Sequence, residues 1–247
     1  MSVSRDRLIA YANDYLHIDD FQDFGPQGLQ VEGKENIEKI VTAVSVSQEL
    51  IEKAVSAKAD MILVHHGLLW NRETPLIKGA FKHRLELLLS NQITLVAYHL
   101  PLDKHPKIGN NALAADAFDM KNRKEFAEVG VMGDIPPCSF DVFIHKVQNL
   151  YDSDPLVFAF GPERIERIAI CSGGSERSIS DAIDLELDAY ITGESGEPTM
   201  HLAKEGNIHF IAAGHYATER PGIRALGEHL TKKFLISHEF IDIHNPV

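Results

Sequence analysis

The chain has 247 residues, 44% of them hydrophobic, enough to bury a proper core in one large domain or two small ones. Its formal net charge of −12 and pI near 5.5 argue against a general nucleic-acid binder, which carries a basic stripe, and against association with anionic membranes. Thirteen histidines and only two cysteines, Cys138 and Cys171, with no CxxC unit, make imidazole and carboxylate the available ligand chemistry and fit a reducing compartment. No apolar run reaches membrane-spanning length, and the opening MSVSRDRLIAYANDYL is broken by Arg5, Asp6, Arg7 and Asp14, so the expectation is a cytoplasmic protein.

In chain order, residues 4–17 read as an amphipathic helix with Ser4 as N-cap. A Gly/Pro-punctuated loop, FGPQGLQVEG (24–33), runs into a short strand. Residues 37–46 are β-branched and apolar, hence a strand; Ser47 caps a helix to about residue 57; residues 61–65 form the next strand, which closes a parallel β-α-β unit. A long connection, 68–82, holds the only tryptophan, Trp70, and a helix follows over 83–91. Residues 92–99 form a strand ending in His99, with a turn at Pro101, and 110–118 are helical. The stretch 121–140 reads as a connection or an edge hairpin, then a helix from Ser139 and a strand over 155–161. A second β-α-β unit covers 166–194, followed by a helix at 198–205, a strand ending at His215, a helix over 223–233 and a closing strand over 237–245.

The run ADMILVHHG (59–67) organises this order. A short apolar run ending at a glycine is the pattern of an internal parallel strand, and open α/β sheets place ligands at the carboxyl ends of such strands. Two adjacent imidazoles there, His65 and His66, suggest metal, and two ions rather than one, since neighbours rarely chelate a single ion comfortably. The alternative is one solvated histidine and one hydrogen-bonded in a turn.

An internal repeat sharpens this reading. Residues 37–66 align without gaps to 165–194, an offset of 128 that matches Ile37, Ser47, Ile51, Ala54 and Asp60 to Ile165, Ser175, Ile179, Ala182 and Asp188. Residues 91–103 align to 207–219 at an offset of 116, which superposes His99 on His215 and Asp103 on Glu219. The expected architecture is therefore α/β: two related α/β domains, layered α/β/α, over residues 1–125 and 126–247. Terminal segments are free to cross between the domains, and the metal site lies in the cleft between them.

The candidate ligands are His65, His66, Asp103, His215 and Glu219. Three imidazoles and two carboxylates suit Zn, Fe, Mn or Ni better than Ca or Mg. Two ions need a bridging carboxylate, for which Glu219 is the natural choice, and the water they share can serve as a nucleophile. His99 is read as a group behind the ligands or a proton shuttle, and Glu194 as a general base or ligand-orienting group, with a solvated turn carboxylate the plainer alternative. CSGGS (171–175) leads into a helix and has amides that could hold a phosphate or carboxylate, but it lacks GxGxxG and the Walker lysine.

GPQGLQVEG, ADMILVHHGLLW, YHLPLD, GNNA, ITGE and GHYATERPGIRAL stand in this order nearly end to end, and with them the chain strongly resembles the short form of the Nif-three-like family, often labelled GTP cyclohydrolase 1 type 2 homologs. The resemblance implies two α/β domains, a two-metal centre on the same five ligands with Glu219 shared, and a toroidal homohexamer. The label implies hydrolytic opening of the guanine ring of GTP. The leading functional expectation is a metal-dependent hydrolase of a nucleotide-like small substrate. The alternative is a non-catalytic metal-binding scaffold or metallochaperone.

Overall fold

In the computed structural model, which describes residues 1–72 and 76–247, the chain divides into two compact units. The first comprises Met1–Leu102 with Gly222–Ile243, the second Asp103–Pro221 with His244–Val247. The division thus falls after Leu102 rather than after residue 125. The reason is packing: Ala114, Ala115, Phe118 and Met120 bury themselves in the core of the second unit, with Ile168, Ile170 and Ile191.

The first unit contains β1 (Val3–Ser4), α1 (Arg5–Leu16), β2 (Gly28–Val31), β3 (Asn36–Ile37), β4 (Lys39–Ser45), α2 (Gln48–Ser56), β5 (Met61–His66), α3 (Gly79–Ser90) and β6 (Thr94–Ala97). A helical turn, α4 (Leu100–Lys104), carries the chain across the division. In the second unit follow α5 (Asn110–Ala117), β7 (Lys121–Phe126), β8 (Gly130–Ser139), α6 (Phe140–Tyr151), β9 (Leu156–Ala159), β10 (Arg164–Ile170), α7 (Ile179–Asp184), β11 (Ala189–Thr192), α8 (Thr199–Glu205) and β12 (His209–Ala212). Helix α9 (His215–Phe234) leads back into the first unit, which ends with β13 (Ser237–Phe240).

The sheet of the first unit runs β13-β4-β5-β6-β2, parallel except for the edge strand β2. Consecutive residues Ile40 to Val44 and Met61 to Val64 are all buried, so helices cover both faces and the strands read as unbroken apolar runs. The sheet of the second unit runs β7-β8-β10-β11-β12-β9, with β10, β11 and β12 parallel. The stretch expected as a connection or edge hairpin is the hairpin β7–β8 at this sheet's edge. Of the 68–82 connection, residues 73–75 lie outside the described residues.

The repeat is visible atom by atom. Asp60 Oδ2 accepts hydrogen bonds from the amides of Glu38 and Lys39 (2.9 and 3.1 Å), and Asp188 Oδ2 from those of Glu166 and Arg167 (2.8 and 2.7 Å), each pair at the offset of 128. The next stretch corrects the sequence alignment by one residue. Thr94 N donates to Asp60 O as His209 N does to Asp188 O, and Tyr98 N to Val64 O as Ala213 N does to Thr192 O. Gln92 and Asn207 both sit at φ 52°. The backbone offset is therefore 115, not 116, so Leu100 stands opposite His215 and Asp103 opposite Thr218. Side-chain identities drew His99 onto His215, whereas the ladder hydrogen bonds set the register.

Helix boundaries also move. Pro101 occupies the first turn of α4, where its missing N–H costs nothing, so residues 100–104 are helical rather than a simple turn. Strand β12 stops at Ala212, and His215 opens α9, which continues through Pro221 without ending. Fully buried Ile223, Leu226 and Leu230, at helical spacing, hold the later turns against the proline's penalty.

Candidate metal centre

In the first unit, the carboxyl ends of β5 and β6 bring three imidazoles together. His65 and His66 both remain in the strand, and the His65–His66, His65–His99 and His66–His99 ring centroids are 4.8, 5.0 and 5.5 Å apart. One ring nitrogen from each lies within 4.8 Å of the other two. His65 is fully buried. Each Nδ1 is held from behind: that of His65 by the Tyr98 carbonyl at 2.9 Å, that of His66 by Ser45 Oγ at 2.9 Å and that of His99 by Asp23 Oδ1 at 2.7 Å. A histidine with Nδ1 engaged turns Nε2 outward as a lone pair, the arrangement metal-ligating imidazoles adopt. Burial pushes the Asp23 carboxyl up, but its bonds from His99 and from the Phe24 and Leu100 amides outweigh that and leave it below the usual carboxylate range.

In the second unit, the donors are Asp103, His215 and Glu219. Glu219 is one turn along α9 from His215, which puts the two on one helix face, with Nε2 to Oε1 at 3.2 Å. His215 Nδ1 pairs with Glu194 Oε1 at 2.5 Å; Glu194 follows β11 by two residues. Burial pushes the His215 imidazole down; hydrogen bonds and charge from Glu219 and Glu194 outweigh it and raise it to about 9. Asp103 and Glu219 are both buried, with carboxylate oxygens within 4.8 Å of each other. Asp103 Oδ1 accepts from Asn110 Nδ2 (2.7 Å) and Ser172 Oγ (2.9 Å).

Gly173 tests whether this pair is built for a cation. It sits at φ 71°, where L side chains are strained, and a Cβ there would fall well inside contact distance of Glu219 Oε1 and 3.3 Å from His215 Nε2. The backbone therefore leaves open the space beside both donor atoms. The Asp103 and Glu219 carboxylates and the His215 imidazole are oxygen and nitrogen donors of the kind that hold a divalent ion.

The same loop does not serve as an anion cradle. The amides of Ser172, Gly173 and Ser175 in CSGGS are taken by Asn111 Oδ1, Thr218 Oγ1 and Thr192 Oγ1. The sequence reading missed Asp23, Ser45, Asn110, Ser172 and Gly173. Only Asn110, in GNNA, and the CSGGS stretch stood out at all, the first without a role and the second as a candidate anion loop.

Two α/β units, each gathering imidazole or carboxylate donors that could hold a metal ion, define a class of α/β proteins with candidate metal sites. Within that class, the chain belongs to the Duf34/NIF3 (NGG1p interacting factor 3) family, whose profile it matches over residues 3–246. A Haemophilus influenzae protein named GTP cyclohydrolase 1 type 2 homolog is 45% identical over 240 residues, covering 95% of this chain and 96% of the relative. The solved structure of "protein ybgI, unknown function" superposes with a TM-score of 0.95 at 41% identity over 99% of this chain and all of the other. That of TTHA1606 from Thermus thermophilus gives 0.92 at 33% identity, again over 99% and 100%.

Proposed function

We propose that His65, His66, Asp103, His215 and Glu219 together hold two divalent metal ions, with Glu219 shared, and that the protein is a metal-dependent hydrolase of a nucleotide-like small molecule. The observation that carries this reading is the orientation of the imidazoles: those of His65, His66 and His215 each have Nδ1 held by an oxygen, with buried carboxylates among the donors. Bound there, divalent metal supplies Lewis acidity and lowers the pKa of a coordinated water toward neutrality. The chain's own part is positional. Asn110 and Ser172 fix Asp103, Glu194 fixes His215, and Gly173 keeps the space beside Glu219 clear. His99, steered by Asp23, stands beside the ligands His65 and His66, where it can hold or move a proton during turnover.

The name carried by the Haemophilus relative supports a guanine nucleotide as the first substrate to try. The test is elemental analysis of the purified protein followed by a nucleotide and phosphoester panel with Zn, Fe, Mn and Ni. Two ions per chain and turnover that disappears in His66→Ala and Glu219→Gln, with circular dichroism unchanged, are expected. Turnover by the metal-free protein refutes the reading, and metal binding with no turnover across the panel favours the scaffold or metallochaperone instead. A cytoplasmic homohexameric ring is part of the same proposal. Light scattering should then give six times the 27.5 kDa chain mass.

A further inference from the structure

Two loops of the first unit meet beside the imidazole cluster. Residues 23–27 (DFGPQ) and 67–71 (GLLWN) are tied by Asn71 N to the Phe24 carbonyl (2.7 Å) and Asn71 Nδ2 to the Asp23 carbonyl (3.2 Å). A Cβ at Gly25 would stand 2.5 Å from the Leu69 carbonyl, so the approach requires glycine. Phe24 nevertheless remains 49% exposed, and Trp70 is only partly buried. The Trp70 ring lies 5.4 Å from that of His99, edge-on at 89°, and 6.1 Å from that of His66; the Phe24 ring lies 6.0 Å from that of His99.

Among the described residues, several polar groups of these loops are engaged by the protein itself. Gln27 Oε1 accepts from His99 N, Asp23 from His99 Nδ1 and Leu100 N, and Trp70 Nε1 donates to the Gly67 carbonyl. Phe24 and Trp70 offer an incoming molecule aromatic surface held in place by this hydrogen-bonded frame. A flat ring needs only a flat partner, and stacking on aromatic side chains tolerates any base.

We propose that Phe24 and Trp70 form a stacking site for a fused planar heteroaromatic ring of the purine kind, set against the imidazole cluster. The ring's status as substrate rests on the hydrolase reading; its binding does not.

Trp70 is the only tryptophan, so its emission reports on the site directly. In the full-length, metal-free protein, guanosine is expected to change that emission saturably, and ribose 5-phosphate to leave it unchanged. Phe24→Leu keeps the fluorophore and should raise the Kd for guanosine about tenfold, the scale of one lost stacking partner. Trp70→Leu, followed by calorimetry, should do the same while retaining the parent's metal content, which separates lost stacking from lost fold. An emission unaffected by guanosine, an equal response to ribose 5-phosphate, or an unchanged Kd in Phe24→Leu overturns the proposal. Guanosine binding without nucleotide turnover by metal-loaded protein leaves the stacking site standing and removes the hydrolase reading. Turnover with unaltered KM in both variants does the reverse.

Discussion

His215 sits between Glu194 and Glu219, and that placement sets a pH signature. Its raised pKa, about 9, means the imidazole carries a proton at neutral pH that an incoming metal must displace. Metal affinity should therefore climb from pH 7 to about 9, by roughly tenfold per unit for one displaced proton, and level off above. Competition against a chromophoric chelator measures this, and Glu194→Gln should move the plateau to lower pH. The sign for stability is opposite. A pKa raised above the unfolded value of about 6.5 gives the metal-free protein stability that is fully present below 6.5 and lost as pH rises through about 9. Gly173→Ala tests the neighbouring space. A Cβ driven against Glu219 at positive φ should cost about 1–2 kcal/mol in melting experiments and strip metal from the second-unit donors. At this scale, the candidate donor types were legible in sequence, because His and carboxylate near strand ends announce themselves. Their supports were not: Asp23, Ser45 and Ser172 are ordinary loop and strand-end residues whose roles arise only from long-range folding.

At the scale of elements, the sequence revealed the repeat but misjudged its register. The β-α-β units were readable because period and capping are local; Ser47 accepts the Leu50 amide at 3.1 Å as its position before an amphipathic helix implies. The slip from 116 to 115 was not readable, since it is decided by ladder hydrogen bonds between strands, and helix α9 was cut short because Pro221-Gly222 looks like a stop from local propensity alone. The duplicated aspartates offer a quantitative check. Asp60 and Asp188 each accept two backbone amides, so Asp60→Ala and Asp188→Ala should each cost about 2–3 kcal/mol in denaturant melts. Asp60 should lose somewhat more, because it also takes Lys34 Nζ at 2.6 Å. Burial pushes the Asp60 carboxyl up and Lys34 and the two amides pull it down further, so its folded pKa lies below the usual value. Its stabilisation is therefore present above the ordinary aspartate range and lost as pH falls through the depressed pKa. Equal pH dependence in wild type and Asp60→Ala across that acid window would contradict the assignment.

For the molecule as a whole, charge and sheet layout together narrow what the protein can meet. No helix among the described residues is long and apolar enough to cross a membrane. His65, His66 and His99 lie at the carboxyl ends of β5 and β6 and His215 just beyond that of β12, which is where α/β sheets bind small molecules, within a chain of formal charge −12. A duplex carries one phosphate charge per about 1.7 Å, and binding it demands a basic face that releases counterions. The longest basic runs here are pairs such as Lys232-Lys233. A divalent cation faces the opposite field: the acidic surface raises its local concentration and speeds its arrival. Metal uptake should accordingly slow as sodium chloride rises from about 20 to about 500 mM, on the order of a few-fold, while duplex DNA stays unretarded at about 150 mM salt. Stopped-flow with a metal-responsive dye reads the first, and gel retardation the second. DNA binding that weakens steeply with salt would show that a basic surface exists which neither the composition nor the fold discloses.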